Sequence, residues 1–123
     1  MPRPSWQNYF YDIAKLVSSR ATCPRASVGA VIVKDKRVIA TGYNGALAGE
    51  PHCTDAGCIV VGGHCKRTVH AEINALAQAA RYGTATDGAV VYVYDSLGRD
   101  APCQECHNAL WAAGVIVAPW GGD

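Results

Sequence analysis

Four residues could do chemistry together: His70, Glu72, Cys103 and Cys106, the last two spaced as Cys-x-x-Cys behind Pro102. Imidazole nitrogen and thiolate sulfur are the donors zinc prefers, and three such ligands leave the fourth tetrahedral position open for water. Cys103 and Cys106 stand at i and i+3, so on a helix they share one face and can chelate a single ion. Pro102 suits the start of such a helix, where a missing amide hydrogen costs nothing. Both the helix dipole and a metal would favour the thiolate forms. Taken separately the pieces say less: a lone Cys-x-x-Cys also describes a redox pair or half of a structural zinc site, and a lone His-x-Glu is common. A second group, Cys23, His52, Cys53, Cys58, His64 and Cys65, is spread over segments rich in Gly and Pro.

The elements that must position these residues follow from periodicity. Trp6, Tyr9, Phe10, Ile13, Ala14 and Val17 recur at helical spacing, with Ser5 as a cap. That aromatic stripe reads as core packing. Pro24 ends the helix through the residue before it. Two β-branched runs, 28–33 and 38–43, flank Lys34-Asp35-Lys36-Arg37 and predict an antiparallel hairpin. Residues 44–68 show no useful period, and so long a loop is uncommon unless functional or tied down by something other than a core. Ile73, Leu76, Ala77 and Ala80 mark a second helix over 69–80, with Gly83 as terminator. A strand at 89–94, a helix at 103–113 and a strand at 115–118 complete the pattern. Right-handed crossovers then predict a three-layer α/β/α sandwich, a mixed sheet with helices on both faces. Periodicity puts i and i+2 on different sides of a regular helix, so His70 and Glu72 converge only in its first turn.

Composition bounds the rest. The 123 residues allow one domain, 1–123, without internal repeat or charge block. Half the residues are hydrophobic and 17% are charged, which excludes disorder. A net charge of +1 argues against gripping nucleic acid by charge alone. No apolar run approaches the ~18 residues of a membrane span, and the amino terminus lacks a secretory signal, so a cytoplasmic address is expected. Six cysteines in a reducing compartment point to metal or thiol chemistry rather than bridges.

His-x-Glu followed by Pro-Cys-x-x-Cys, each opening a helix in an α/β pattern, is the known signature of zinc nucleobase deaminases. Further segments narrow the match: Ser5-Trp6, Tyr9-Phe10, Thr22-Cys23-Pro24-Arg25, Val28-Gly29-Ala30, Thr41-Gly42-Tyr43-Asn44-Gly45, Pro51-His52-Cys53 and His70-Ala71-Glu72-Ile73-Asn74-Ala75. In this order, over residues 5 to about 117, the chain resembles the deoxycytidylate (dCMP) deaminases of the cytidine/deoxycytidylate deaminase superfamily. The resemblance implies hydrolytic deamination of a cytosine nucleotide, dCMP to dUMP plus ammonia, as a small-molecule substrate. It implies His70, Cys103 and Cys106 as ligands of a catalytic zinc, whose hydroxide attacks C4 of the ring. Glu72 is then no ligand but the proton shuttle, from the water to a ring nitrogen and on to the leaving ammonia. Asn44 matches an asparagine that binds the sugar, although Asn-Gly also signals a turn. The Ala71 amide would contact the base, and Arg25, with Lys66 and Arg67 behind it, would meet the phosphate unless these are ordinary surface charges.

Some family branches carry a second, structural zinc, which Cys23, Cys53, Cys58 and Cys65 would hold here, with His52 and His64 as alternatives and free thiols as the plain reading. The sequence also departs from the family. Residues 95–101, Asp-Ser-Leu-Gly-Arg-Asp-Ala, replace a shorter connection and would alter one wall of the pocket. The chain stops at Trp120-Gly121-Gly122-Asp123 where the family adds a strand and helix, so a C-terminally shortened fold with an open last strand is expected. Self-association, as hexamer or dimer, would cover that edge, and the shortening puts allosteric control by deoxynucleoside triphosphates in question. Two other readings compete: a polynucleotide deaminase acting on tRNA adenosine or single-stranded DNA cytosine, and an inactive zinc-stabilised binding module.

Overall fold

The computed structural model describes residues 2–22, 26–45, 60–61, 64–65, 69–99 and 102–118. Helix α1 (Trp6–Ser18) opens where Ser5 Oγ accepts a hydrogen bond from the Asn8 amide at 3.1 Å, the expected cap. Strands β1 (Val28–Lys34) and β2 (Arg37–Tyr43) form the predicted hairpin, antiparallel, turning at Asp35 and Lys36, both with positive φ. A short antiparallel pair, β3 (Val60–Val61) and β4 (His64–Cys65), lies within the stretch that periodicity leaves blank. Two residues per strand are too few for a period to show. Helix α2 (Ala71–Arg81), strand β5 (Val90–Asp95), helix α3 (Gln104–Ala112) and strand β6 (Ile116–Val117) follow, each within two residues of its predicted bounds.

The main sheet has the order β2-β1-β5-β6, and its mixed character is the expected one. The crossover through α2 carries the chain from β2 past β1, so β5 pairs antiparallel with β1 on its far side. The crossover through α3 lands β6 parallel to β5. β1 is central and buried along nearly its whole length, as a strand covered on both faces must be. Its side chains alternate between layers. Val31 and Val33 pack with Phe10 and Ala14 of α1, while Val28, Ala30 and Ile32 join Ala71, Ala75 and Ala79 of α2 and Leu110 of α3. The result is the expected three-layer α/β/α sandwich.

Two glycines let the layers close. A Cβ on Gly29 would collide with the backbone at Ala14 and Ser18, so α1 lies directly on β1. A Cβ on Gly42 would collide with the Ala71 carbonyl and the Ala75 amide, so the first turns of α2 lie directly on β2. Among the described residues no helix is long and apolar enough to cross a membrane.

Candidate active site

Helices α2 and α3 both begin at one end of the sheet. His70 is the N-cap of α2 in extended geometry, without a side-chain cap bond of its own. Its imidazole is therefore free for other work. Cys103 is the N-cap of α3, and Cys106 stands in its first turn. Pro102 accordingly precedes the cap rather than occupying the first helical position. His70 Nδ1 lies 3.2 Å from Cys106 Sγ and 3.4 Å from Cys103 Sγ. Both sulfurs belong to free thiols.

These spacings fit a metal. Bonds of about 2.0 Å to nitrogen and 2.3 Å to sulfur at tetrahedral angles separate the two donors by about 3.5 Å. All three donor atoms fall within 4.8 Å of one another, and among the described residues they form the metal-competent cluster. Burial pushes the Cys106 thiol far up, with the Glu72 charge and Cys103 adding to it. Zinc binds the thiolate, so metal capture at this site would displace the thiol proton to solvent.

Glu72, 4% exposed, sits in the first turn of α2, where the i, i+2 argument requires it. Burial raises its carboxyl above the ordinary value of 4.5; its own backbone amide and His70 pull the other way, and Asp95 adds to the rise. A carboxyl held above its usual range beside a metal-ligand cluster is suited to taking up and returning a proton. The Ala71 amide lies in the same uncapped first turn, with no hydrogen-bond partner among the described residues.

Asn44 is buried and serves the backbone: its Oδ1 accepts from Val28 N at 2.9 Å and its Nδ2 donates to the Ala26 carbonyl at 2.8 Å. That clamp leaves one Nδ2 hydrogen for other partners. The segment around it is tied to α2. Gly45 and Val69 exchange both backbone hydrogen bonds, and Asn74 Nδ2 donates to the Tyr43 carbonyl at 2.9 Å. Asn74 is thus a positioning residue that its sequence position, one turn after His70, does not advertise. Arg25, Cys23, Cys53, Cys58, Lys66 and Arg67 lie outside the described residues, and of Cys65 only its place in β4 is described.

A helix-borne His/Cys/Cys cluster with a buried glutamate, on an α/β/α sandwich of this strand order, defines a zinc-deaminase type of site. The family described as "Cytidine and deoxycytidylate deaminase zinc-binding region" matches residues 4–118. ComE operon protein 2 of Bacillus subtilis is 49% identical over 123 residues, covering 100% of this chain, which spans 62% of that protein. The deoxycytidylate deaminase of Mycobacterium phage D29 is 39% identical, covering 97% of this chain and 98% of its own length. Among solved structures, the dCMP deaminase of cyanophage S-TIM5 in complex with dCMP and dUMP superposes with a TM-score of 0.75 at 29% identity, over 94% of this chain and 79% of that one. The chain belongs to the cytidine and deoxycytidylate deaminase family.

Proposed function

We propose that residues 1–123 act as one domain that hydrolytically deaminates a cytosine nucleotide, dCMP to dUMP plus ammonia. The observation that carries this is the buried Glu72 carboxyl beside His70, Cys103 and Cys106 at the facing starts of two helices. The relatives named for this reaction and the phage structure holding dCMP and dUMP support the choice of substrate.

His70, Cys103 and Cys106 would hold the zinc, which when bound polarises a water for attack on C4 of the ring. Glu72 would accept a proton at its carboxylate from the attacking water and pass it to the ring nitrogen. It then carries the second proton to the departing amine, so the C4–N bond breaks as the C4 carbonyl forms and ammonia leaves. Burial of Glu72 suits both halves of this cycle, since its two protonation states are brought closer in energy at neutral pH. The Ala71 amide, at the positive end of α2, would hold the base oxygen of the substrate. Asn44 would offer its remaining hydrogen to the sugar, and Arg25 would meet the phosphate. A homo-oligomer, hexamer or dimer, and a cytoplasmic setting complete the reading.

An ultraviolet assay tests it, with dCMP, CMP, deoxycytidine and 5-methyl- and 5-hydroxymethyl-dCMP as substrates and tRNA and single-stranded DNA as controls. Loss of the cytosine absorbance with dCMP is expected. Turnover of polymers alone would replace this reading with a polynucleotide deaminase, and no turnover at all with a binding module. The net charge of +1 favours the free nucleotide over the strand.

A further inference from the structure

The connection from β5 to α3 carries an anchored guanidinium beside this site. Asp95 ends β5 and continues the row of Val91 and Val93, whose side chains pack under α2 and α3, so its carboxylate lies on the same face of the sheet as Glu72. Its neighbour across the sheet is Val28, the residue that Asn44 clamps. The carboxylate side chain is 5% exposed, and its charge acts on Glu72. One oxygen accepts the Leu97 amide at 2.8 Å, and the Gly98 amide closes a turn onto the Asp95 carbonyl at 2.9 Å. Gly98, at φ +69°, reverses the chain so that Arg99 returns over Asp95, with Nε donating to the second oxygen at 2.6 Å. Arg99 is four residues from the ligand Cys103, which limits their Cα separation to about 14 Å.

This bond uses Nε, on one edge of the guanidinium, and leaves the end-on edge formed by the two terminal nitrogens for another partner, on a side chain 57% exposed. A fork held at its base and open at its tips is the geometry that grips a phosphate in two places. Most of the other described cations lie elsewhere. Lys34, Lys36 and Arg37 surround the hairpin turn at the far end of β1, and Arg81 closes the far end of α2. Lys15 lies over the Tyr94 ring on the α1 side, Arg3 precedes α1, and Arg20 follows α1 two residues before Thr22, whose amide donates to the Asn44 carbonyl.

We propose that Arg99, positioned by Asp95, binds the phosphate monoester of the nucleotide and so selects a nucleotide over a nucleoside. This rests on the deaminase reading above and goes beyond it, because that reading gives Arg99 no role. Titration calorimetry of the zinc-loaded protein with dUMP and with deoxyuridine, alongside KM and kcat for dCMP, tests it. In Arg99→Ala, the dUMP Kd and the dCMP KM should rise about tenfold while kcat changes less than about twofold and the deoxyuridine Kd holds. Arg99→Lys should recover part of the loss through charge without the fork. Asp95→Asn, which frees the guanidinium but preserves the turn, should give a smaller rise with the same substrate split. Equal weakening of dUMP and deoxyuridine, no change in either, or loss of the discrimination in Arg25→Ala or Arg20→Ala alone would overturn the proposal. A wild-type protein that does not deaminate dCMP removes the deaminase reading, while the dUMP-to-deoxyuridine ratio still judges Arg99.

Discussion

Glu72 and Cys106 carry the same physical stress in opposite uses. Each is buried in a place that disfavours its charged form, and each is expected to work as an anion once a cation is present. For Cys106 the consequence is linkage to protons: zinc affinity should rise with pH, and calorimetry in buffers of different ionisation heat should show protons released on binding. A metal affinity independent of pH would mean that the thiols are not ligands. For Glu72 the consequence concerns the metal-free fold. Its folded pKa lies above the ordinary 4.5, so the folded state holds the proton more tightly than the unfolded chain. Stability from this group is therefore complete below about pH 4.5 and declines as pH rises through the raised value. In metal-free protein, Glu72→Gln should melt above wild type near neutral pH, with the gap closing towards pH 4. Zinc-loaded Glu72→Ala should keep its metal and lose turnover; loss of zinc with activity would make Glu72 a ligand.

Helix α2 delivers His70 and Glu72 to the site only if its first turns stay against β2, and Gly42 is the residue that permits this approach. Gly42→Ala would push a methyl into the Ala71 carbonyl and the Ala75 amide, both backbone atoms that cannot swing aside. A loss of about 1–3 kcal/mol is expected, with weakened zinc binding, read from melting curves and metal titration. Gly83→Ala is the contrasting case. Its φ is +69° but a Cβ there meets nothing within 4 Å, so the cost should stay near 1–2 kcal/mol with zinc binding untouched. The difference also explains what could be read in advance. Amphipathic stripes such as Phe10, Ala14 and Val17 and the β-branched runs of β1 and β2 are local signals, and they located the helices and strands of the main sheet. The first-turn placement of His70 with Glu72 was legible too, because their convergence demanded it, whereas the N-cap positions of His70 and Cys103 were not, since the periodic signal runs on through both residues. The antiparallel β1–β5 pairing, the tie from Asn74 to Tyr43 and the clamp of Asn44 on Val28 join residues far apart in sequence, where no local period exists. Asn44 shows the limit best: its Asn-Gly pair announced a turn, while the fold uses its amide to hold the start of the central strand.

At the scale of the whole molecule, residues 44–68 carry no sequence period that would assign them to the sandwich, and within 46–68 the described residues are those of β3 and β4. The β3–β4 pair contributes only two residues a side, too little to be stable by itself in water. Neighbouring anchors hold the ends of this stretch, through the Gly45–Val69 pair and the Asn74 bonds. Between them stand Cys53, Cys58 and Cys65, with Cys23 before β1, the cysteines left over from the catalytic set. We propose that a closed four-thiolate zinc on these cysteines ties the stretch down, since metal binding free energy becomes folding free energy where the site does not exist in the unfolded chain. Metal analysis of fully loaded protein should therefore give two zinc ions per chain, and Cys58→Ser should give one. Because the proposed catalytic ligands stand at the starts of α2 and α3, that variant should retain turnover under mild conditions while melting several degrees lower. Cys106→Ala should show the converse, keeping one zinc while losing turnover. One zinc in the loaded wild type would remove the structural site, and a Cys58→Ser protein with unchanged zinc content would remove Cys58 from it.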